Sequence, residues 1–268
     1  ADDKVINYIP HGVSSKYYFP LKEDNKDLKE FRNKMLGGRE KDFVLLFNSR
    51  NIRRKSIPDT MFAWKCFIDK LPKEEADKCA FVLHTQPSDN NGTDLIAVKD
   101  YLFGEEYNDI IFSTSRLPIN YMNMLYNSTD AQILLSSNEG WGLSLTEALL
   151  VGNPIIANVT GGMQDQMRFE DGDGNWFTPD DKIPSNHTGK YKKCGKWAFP
   201  VFPSSRSIQG SPKTPYIWDD RCNAEDAAEQ IMSLYKLSSE ERKELGKAGR
   251  EWAIGEEAGF TAEIMGNR

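Results

Sequence analysis

Apolar runs of strand length alternate with longer segments of helical period as far as Ala157, and this alternation most limits what the chain can fold into. Phe43 to Phe47 (FVLLF), Ala80 to His84 (AFVLH), Asp109 to Phe112, Ala131 to Leu135 (AQILL) and Pro154 to Ala157 read as five strands. Apolar runs without polar alternation suit strands buried on both faces, as in parallel sheets covered by helices. Between them, Pro58 to Lys70, Asp94 to Phe103, Pro118 to Tyr126 and SLTEALLVG have helical character. The expected fold class is α/β, a doubly wound parallel sheet whose ligands bind in loops beyond the strand C-termini.

The alternation fails over residues 172–218, which are rich in Gly, Pro, Ser and aromatics, with WAFPVFP (Trp197 to Pro203) as the only strand-like piece. That stretch reads as an insertion. Helical character returns at Ala224 to Tyr235 and from Ser239, where SSEERKELG has the form of a capped start. Residues 1–24, with IPHGVSSKYYFP, read as a connector. The sheet domain is then expected over 25–171 and 219–238, followed by a C-terminal helical segment over 239–268. The 268 residues suffice for one generous domain and are too few for two complete ones of this kind.

With 34 basic and 40 acidic residues the net charge is −6, which argues against a general nucleic-acid or anionic-membrane surface. Any charge for a phosphate must be local. Cys66, Cys79, Cys194 and Cys222 form no CxxC pair, and His11, His84 and His187 are scattered, so no metal site and a reduced, cytoplasmic setting are expected. No apolar run approaches the length of a transmembrane segment, and the start lacks the features of a signal peptide. The run Glu170 to Asn175 (EDGDGN) mimics a calcium loop, but Lys182 stands where the twelfth-position Glu belongs, so it reads as a turn.

Chemistry concentrates in Ser136 to Ala157, SSNEGWGLSLTEALLVGNPIIA. Glu139 and Glu147 flank a strand-to-helix turn. Gly140 and Gly142 let the backbone bend and approach a ligand, while the amides of Trp141, Gly142 and Leu143 lead into a helix expected to begin near Ser144. Such a turn can hold a diphosphate or a sugar hydroxyl. Ser144 and Thr146 read as helix-start residues, since no His or Asp is placed to activate them. Upstream, FNSRNIRRKS offers Arg50 and Lys55, with Arg53 and Arg54 as further cations. A basic run alone is ordinarily a solvated loop, and Glu is common on exposed helix faces. Their combination with the glycine turn argues for a site.

The 139–157 segment resembles the Glu-x7-Glu motif of glycosyltransferase family 4, retaining enzymes of the GT-B fold, with Ser144 where Pro is usual. Arg50 and Lys55 are similar in spacing to the family's pair of diphosphate-binding cations, with Ser49 in place of its Gly. IIFSTSRLPINYMNMLYNSTDAQILLSS is similar to the stretch whose backbone, here near Arg116 and Leu117, would contact the nucleotide base. IPHGVSSKYYF looks like the hinge that follows an acceptor-binding domain. The resemblance implies a Rossmann-like donor domain that binds a nucleoside-diphosphate sugar and needs no obligatory metal or other cofactor. Arg50, Lys55 and Glu139 would act in catalysis, and Gly140 to Ser144 with Glu147 would bind the donor. It also implies a partner, an N-terminal acceptor-binding domain or chain absent here, with a glycan or other acceptor undefined. Two alternatives are a non-catalytic nucleotide-sugar-binding subunit and a GT-B nucleotide-sugar epimerase relative.

Overall fold

The computed structural model describes residues 8–177 and 185–267. Residues 1–7 of the expected connector, 178–184 of the expected insertion (Lys182 among them) and Arg268 lie outside the described residues.

Six parallel strands form the central sheet: β1 (Phe43–Asn48), β2 (Cys79–His84), β3 (Ile110–Ser113), β4 (Ala131–Leu134), β5 (Ile155–Asn158) and β6 (Ala198–Val201). Their spatial order is β3-β2-β1-β4-β5-β6. The FVLLF run of β1 is wholly buried, because a central strand is covered on both faces. Right-handed crossovers put the helices after β1 and β4 on opposite faces, since the chain winds outward in opposite directions from the β1–β4 junction. Two short helices, α3 (Lys73–Ala76) and α7 (Gly161–Asp165), precede β2 and follow β5; on one face α2 (Ile57–Ile68) packs against α4 (Leu95–Phe103) and α8 (Ala224–Tyr235). On the other, α6 (Leu143–Val151) packs against α5 (Ile119–Asn127) and α9 (Ser239–Ile254). This is the α/β, Rossmann-like architecture expected from the sequence, and its switch point lies between β1 and β4.

Three elements differ from the sequence reading. The sixth strand comes from the WAFPVFP piece, so part of the 172–218 stretch belongs to the sheet. Trp197 there is an anchor: its Nε1 donates to the Gln166 carbonyl at 3.2 Å and its ring stacks on Trp252 at 4.9 Å. An antiparallel hairpin, β7 (Ser205–Ser211) and β8 (Thr214–Arg221), follows where no strand was expected. Its polar sequence lacks strand-like alternation because most of it is exposed. Helix α1 (Lys26–Met35) was likewise unmarked: it buries only Leu28, and Asn25 caps it by accepting the Leu28 amide.

Residues 8–24 lie along the domain. Val13 bridges to Thr261, Phe19 and Leu21 donate their amides to Asn123 and Asn127 of α5, and Tyr18 is buried edge-on against Tyr126. Asp171 accepts the amides of Asp173 and Asn175, each at 2.9 Å, so EDGDGN is an Asx-stabilised turn. The four cysteines are unpaired. Among the described residues no helix is long and apolar enough to cross a membrane.

Candidate functional site

At the switch point, the loops after β1 and β4 are tied together. The Ser137 amide donates to the Arg54 carbonyl at 2.8 Å, and Arg54 Nη1 donates to the Asn138 carbonyl at 2.7 Å. The β1 loop closes with a 3-10 turn over Arg53–Lys55, and Ser56 then adopts the left-handed conformation (φ 50°, ψ 40°), which a residue with a Cβ seldom occupies. The turn buries Lys55 to 8% exposure. Lys55 Nζ is ion-paired with Glu139 Oε2, and Arg54 Nη1 reaches the same oxygen at 2.9 Å. Burial pulls the Lys55 ammonium below its ordinary pKa, and the Glu139 carboxylate opposes that shift.

Glu139 stands where it does because its backbone is packed from below. Gly161 has φ +50°, and a Cβ there would lie 2.0 Å from the Glu139 carbonyl oxygen, so any side chain would displace Glu139. Gly142, at φ +85°, turns the chain into α6. Among the described residues no side chain caps that helix, so its first amides are open to a hydrogen-bond acceptor. Trp141 points inward: its Nε1 donates to Thr146 Oγ1 at 2.9 Å, Thr146 Oγ1 donates to Gln166 Oε1 at 2.8 Å, and its ring meets Phe260 edge-on. Thr146 thus holds the turn in shape.

Glu147 lies one helical turn further on, in a different environment. Tyr126 donates its hydroxyl to Glu147 Oε2 at 2.6 Å and accepts Asn48 Nδ2 at 2.8 Å, and the Tyr18 hydroxyl also favours the Glu147 charge. Burial raises the Glu147 carboxyl above the usual range, while the two tyrosines partly hold it down.

A cleft of about 400 Å³ brings together Lys55, Glu139, Trp141, Gly142, Leu143, Ser144 and Glu147 from the expected set. The α6 helix starts at Leu143, one residue before the expected Ser144, and Leu143 is 49% exposed at the cleft. Gly140 faces a neighbouring cleft. Arg50 is placed elsewhere: its Nε donates to Asp89 Oδ2 at 2.8 Å, which raises the guanidinium pKa further, and Arg54 takes the position beside Lys55. Arg116 and Leu117 lie in the loop after β3, two strands away from β1, and line neither cleft.

Three cleft residues escaped the sequence reading as site residues: His11, Asn48 and Ser49. The hinge-like segment pointed towards His11, whose ring lies 5.9 Å from that of Trp141. Asn48, the polar residue ending an apolar strand, was a signal for a group aimed at the carboxyl edge. His84, also at a strand end, instead pairs its Nδ1 with Ser113 Oγ at 2.9 Å, and burial lowers its pKa.

Residues 66–184 match the model of the family described as Glycosyl transferases group 1. No curated protein matches the chain by sequence. Among solved structures, sucrose-phosphate synthase from Thermosynechococcus elongatus is 18% identical with a TM-score of 0.62, over 96% of this chain and 49% of that one. HepE from Anabaena, solved in complex with UDP, is 15% identical with a TM-score of 0.65, over 97% of this chain and 54% of its own. The C-terminal domain of a glycosyl transferase group 1 family protein (LpcC) from Francisella tularensis is 16% identical with a TM-score of 0.59, over 91% and 97%. These are likenesses of fold, and the chain spans about half the length of the first two.

Proposed function

We propose that this chain is the donor-binding part of a retaining glycosyltransferase, taking a sugar from a nucleoside diphosphate. The observation that carries this reading is Glu139 held by Lys55 and Arg54 at the mouth of the α6 N-terminus, in one cleft with Glu147. Cations and helix amides suit the negative charge that develops on a departing diphosphate, and a carboxylate beside them suits sugar hydroxyls. The match to glycosyl transferases group 1 and the resemblance to HepE, solved with UDP and with UDP-glucose, support it.

In the reaction the bond from the sugar C1 to the leaving phosphate oxygen breaks, and a bond from C1 to an acceptor oxygen forms on the same face. The acceptor proton passes to the leaving phosphate. Lys55 stabilises the diphosphate, with Arg50 swinging from Asp89 to join it. Glu139 orients the sugar, Glu147 accepts from ribose, and Leu143 and Ser144 donate their amides. The base extends past the cleft towards Arg116 and Leu117 in the loop after β3. An acceptor-binding half completes the cleft, and transfer proceeds without an obligatory metal, which turnover in EDTA tests.

A thermal-shift panel of UDP-, GDP- and ADP-sugars tests donor recognition. A ligand at a hundred times its dissociation constant stabilises by about 2.7 kcal/mol. One response, lost in Glu139→Ala, is expected. No response to any of the three sinks the reading.

A further inference from the structure

Across the Ser137–Gly140 segment from the first cleft lies a larger one of about 820 Å³, within the size range of small-molecule sites. The β1 loop, the start of α2 and Ser137, Asn138 and Gly140 form its floor, and β7–β8 forms its wall. This wall contributes little to the core. A two-stranded hairpin is marginal by itself, and most of β7 and the first half of β8 are exposed.

The hairpin is nevertheless fixed at its base. Buried Asp220 accepts from Thr160 Oγ1 at 2.7 Å and from Ser185 Oγ at 2.8 Å, and its amide donates to the Ser137 carbonyl at 2.8 Å. Ser137 Oγ donates to Asp219 Oδ1 at 3.1 Å, and Asn138 Nδ2 to the Trp218 carbonyl at 3.1 Å. These bonds attach the hairpin to the loop that carries Glu139. A polar wall held at its base beside a reactive loop is the form of a recognition element on a rigid scaffold.

The chemistry of the cleft favours a neutral polyhydroxyl ligand. Of its three arginines, Arg54 is paired with Glu139 and Arg221 with Asp59, and Asp219 adds a further carboxylate to the lining. Charge is thus nearly matched, whereas an anion site needs a surplus of donors. Each sugar hydroxyl both donates and accepts, and the cleft offers both kinds of partner: guanidinium and amide donors, and carboxylate and carbonyl acceptors.

We infer that this cleft binds a neutral saccharide, the glycan portion of the acceptor, beside the donor sugar at Glu139. The inference rests on the transfer reading above.

Saturation-transfer NMR on the whole chain, with methyl α-glucopyranoside, methyl α-mannopyranoside and methyl β-galactopyranoside as probes, tests it. At least one is expected to be saturated, and to remain so with UDP present in excess. Gln209→Ala combined with Thr214→Ala, both on the cleft side, should weaken that probe about tenfold. Tyr216→Ala, 83% exposed and outside the cleft lining, should leave it unchanged and serves as the folding control for the hairpin. Saturation of none of the three, displacement by UDP or by inorganic phosphate, or insensitivity to the double substitution would each overturn the proposal. If a glycoside behaves as expected while no nucleoside-diphosphate sugar binds, the transfer reading fails and the saccharide site stands. Donor binding without any glycoside overturns the saccharide site alone.

Discussion

Glu139 and Glu147 line one cleft from either side of a single turn, yet the protein keeps them in opposite ways. Glu139 sits on a loop and meets Lys55 and Arg54, so its charge is matched by cations. Glu147 sits on a helix against two tyrosine hydroxyls, and burial works against its charge. Two side chains of one type thereby meet different environments, and under the proposed transfer reading Glu139, beside the cations, orients the sugar while Glu147 accepts from ribose.

The strongest way to break this comparison is to remove the ionic side. Lys55→Ala is expected to lower the transfer rate by about 10²–10³-fold, the scale for loss of one electrostatic stabiliser, and Glu139→Ala, which loses the hold on the sugar and leaves Lys55 without its partner, is expected to lower it as well. Initial rates with the donor found by thermal shift check this, and undiminished rates would leave the ion pair without a role in the chemistry.

Asp165 sharpens the buried side through stability. It is 5% exposed, accepts the Tyr8 hydroxyl at 2.8 Å on Oδ2, and burial lifts its carboxyl from 3.8 to about 7. The folded state holds this proton where the unfolded chain releases it, so stability is fully present below pH 3.8 and falls as pH rises towards about 7. Asp165→Asn should lack that fall and gain on the wild type by at most about 4 kcal/mol at pH 8 relative to pH 4. Urea unfolding at the two pH values measures it, and parallel changes in both proteins would refute it.

Tyr126→Phe removes one hydroxyl that favours the Glu147 carboxylate, so the carboxyl pKa should rise further. Donor affinity is then expected to weaken progressively as pH falls below 8, as titration calorimetry would report. A uniform loss across pH would indicate lost packing instead.

The smallest effects concern Arg50, whose bond to Asp89 holds it away from Lys55. Asp89→Ala should strengthen donor binding a few-fold by freeing Arg50, and Arg50→Ala should weaken it by a similar factor. Both should leave the melting temperature almost unchanged, because an exposed ion pair contributes little to stability. Weaker binding in Asp89→Ala would show that Arg50 does not move to the diphosphate.

Much of this was legible because the informative residues are local. The apolar runs of β1, β2, β4 and β5 mark their own burial, and the glycines of EGWG mark the turn that carries Glu139. Arg54 and the β7–β8 hairpin were hidden for different reasons. In RNIRRK, spacing alone does not tell which cation a 3-10 turn and a left-handed Ser56 will aim at a carboxylate more than eighty residues away. The hairpin is held by side-chain bonds to residues as remote as Ser137 and Thr160, so its own pattern carries no mark of a strand.

The sequence by itself determined the parallel α/β sheet and the turn bearing two carboxylates, since hydrophobic period and glycine placement act over a few residues. Only the tertiary structure decided which groups surround each carboxylate. Cations reach Glu139 and hydroxyls reach Glu147 from loops and helices distant in the chain, and burial, which sets what a charge costs, exists only once those elements have packed.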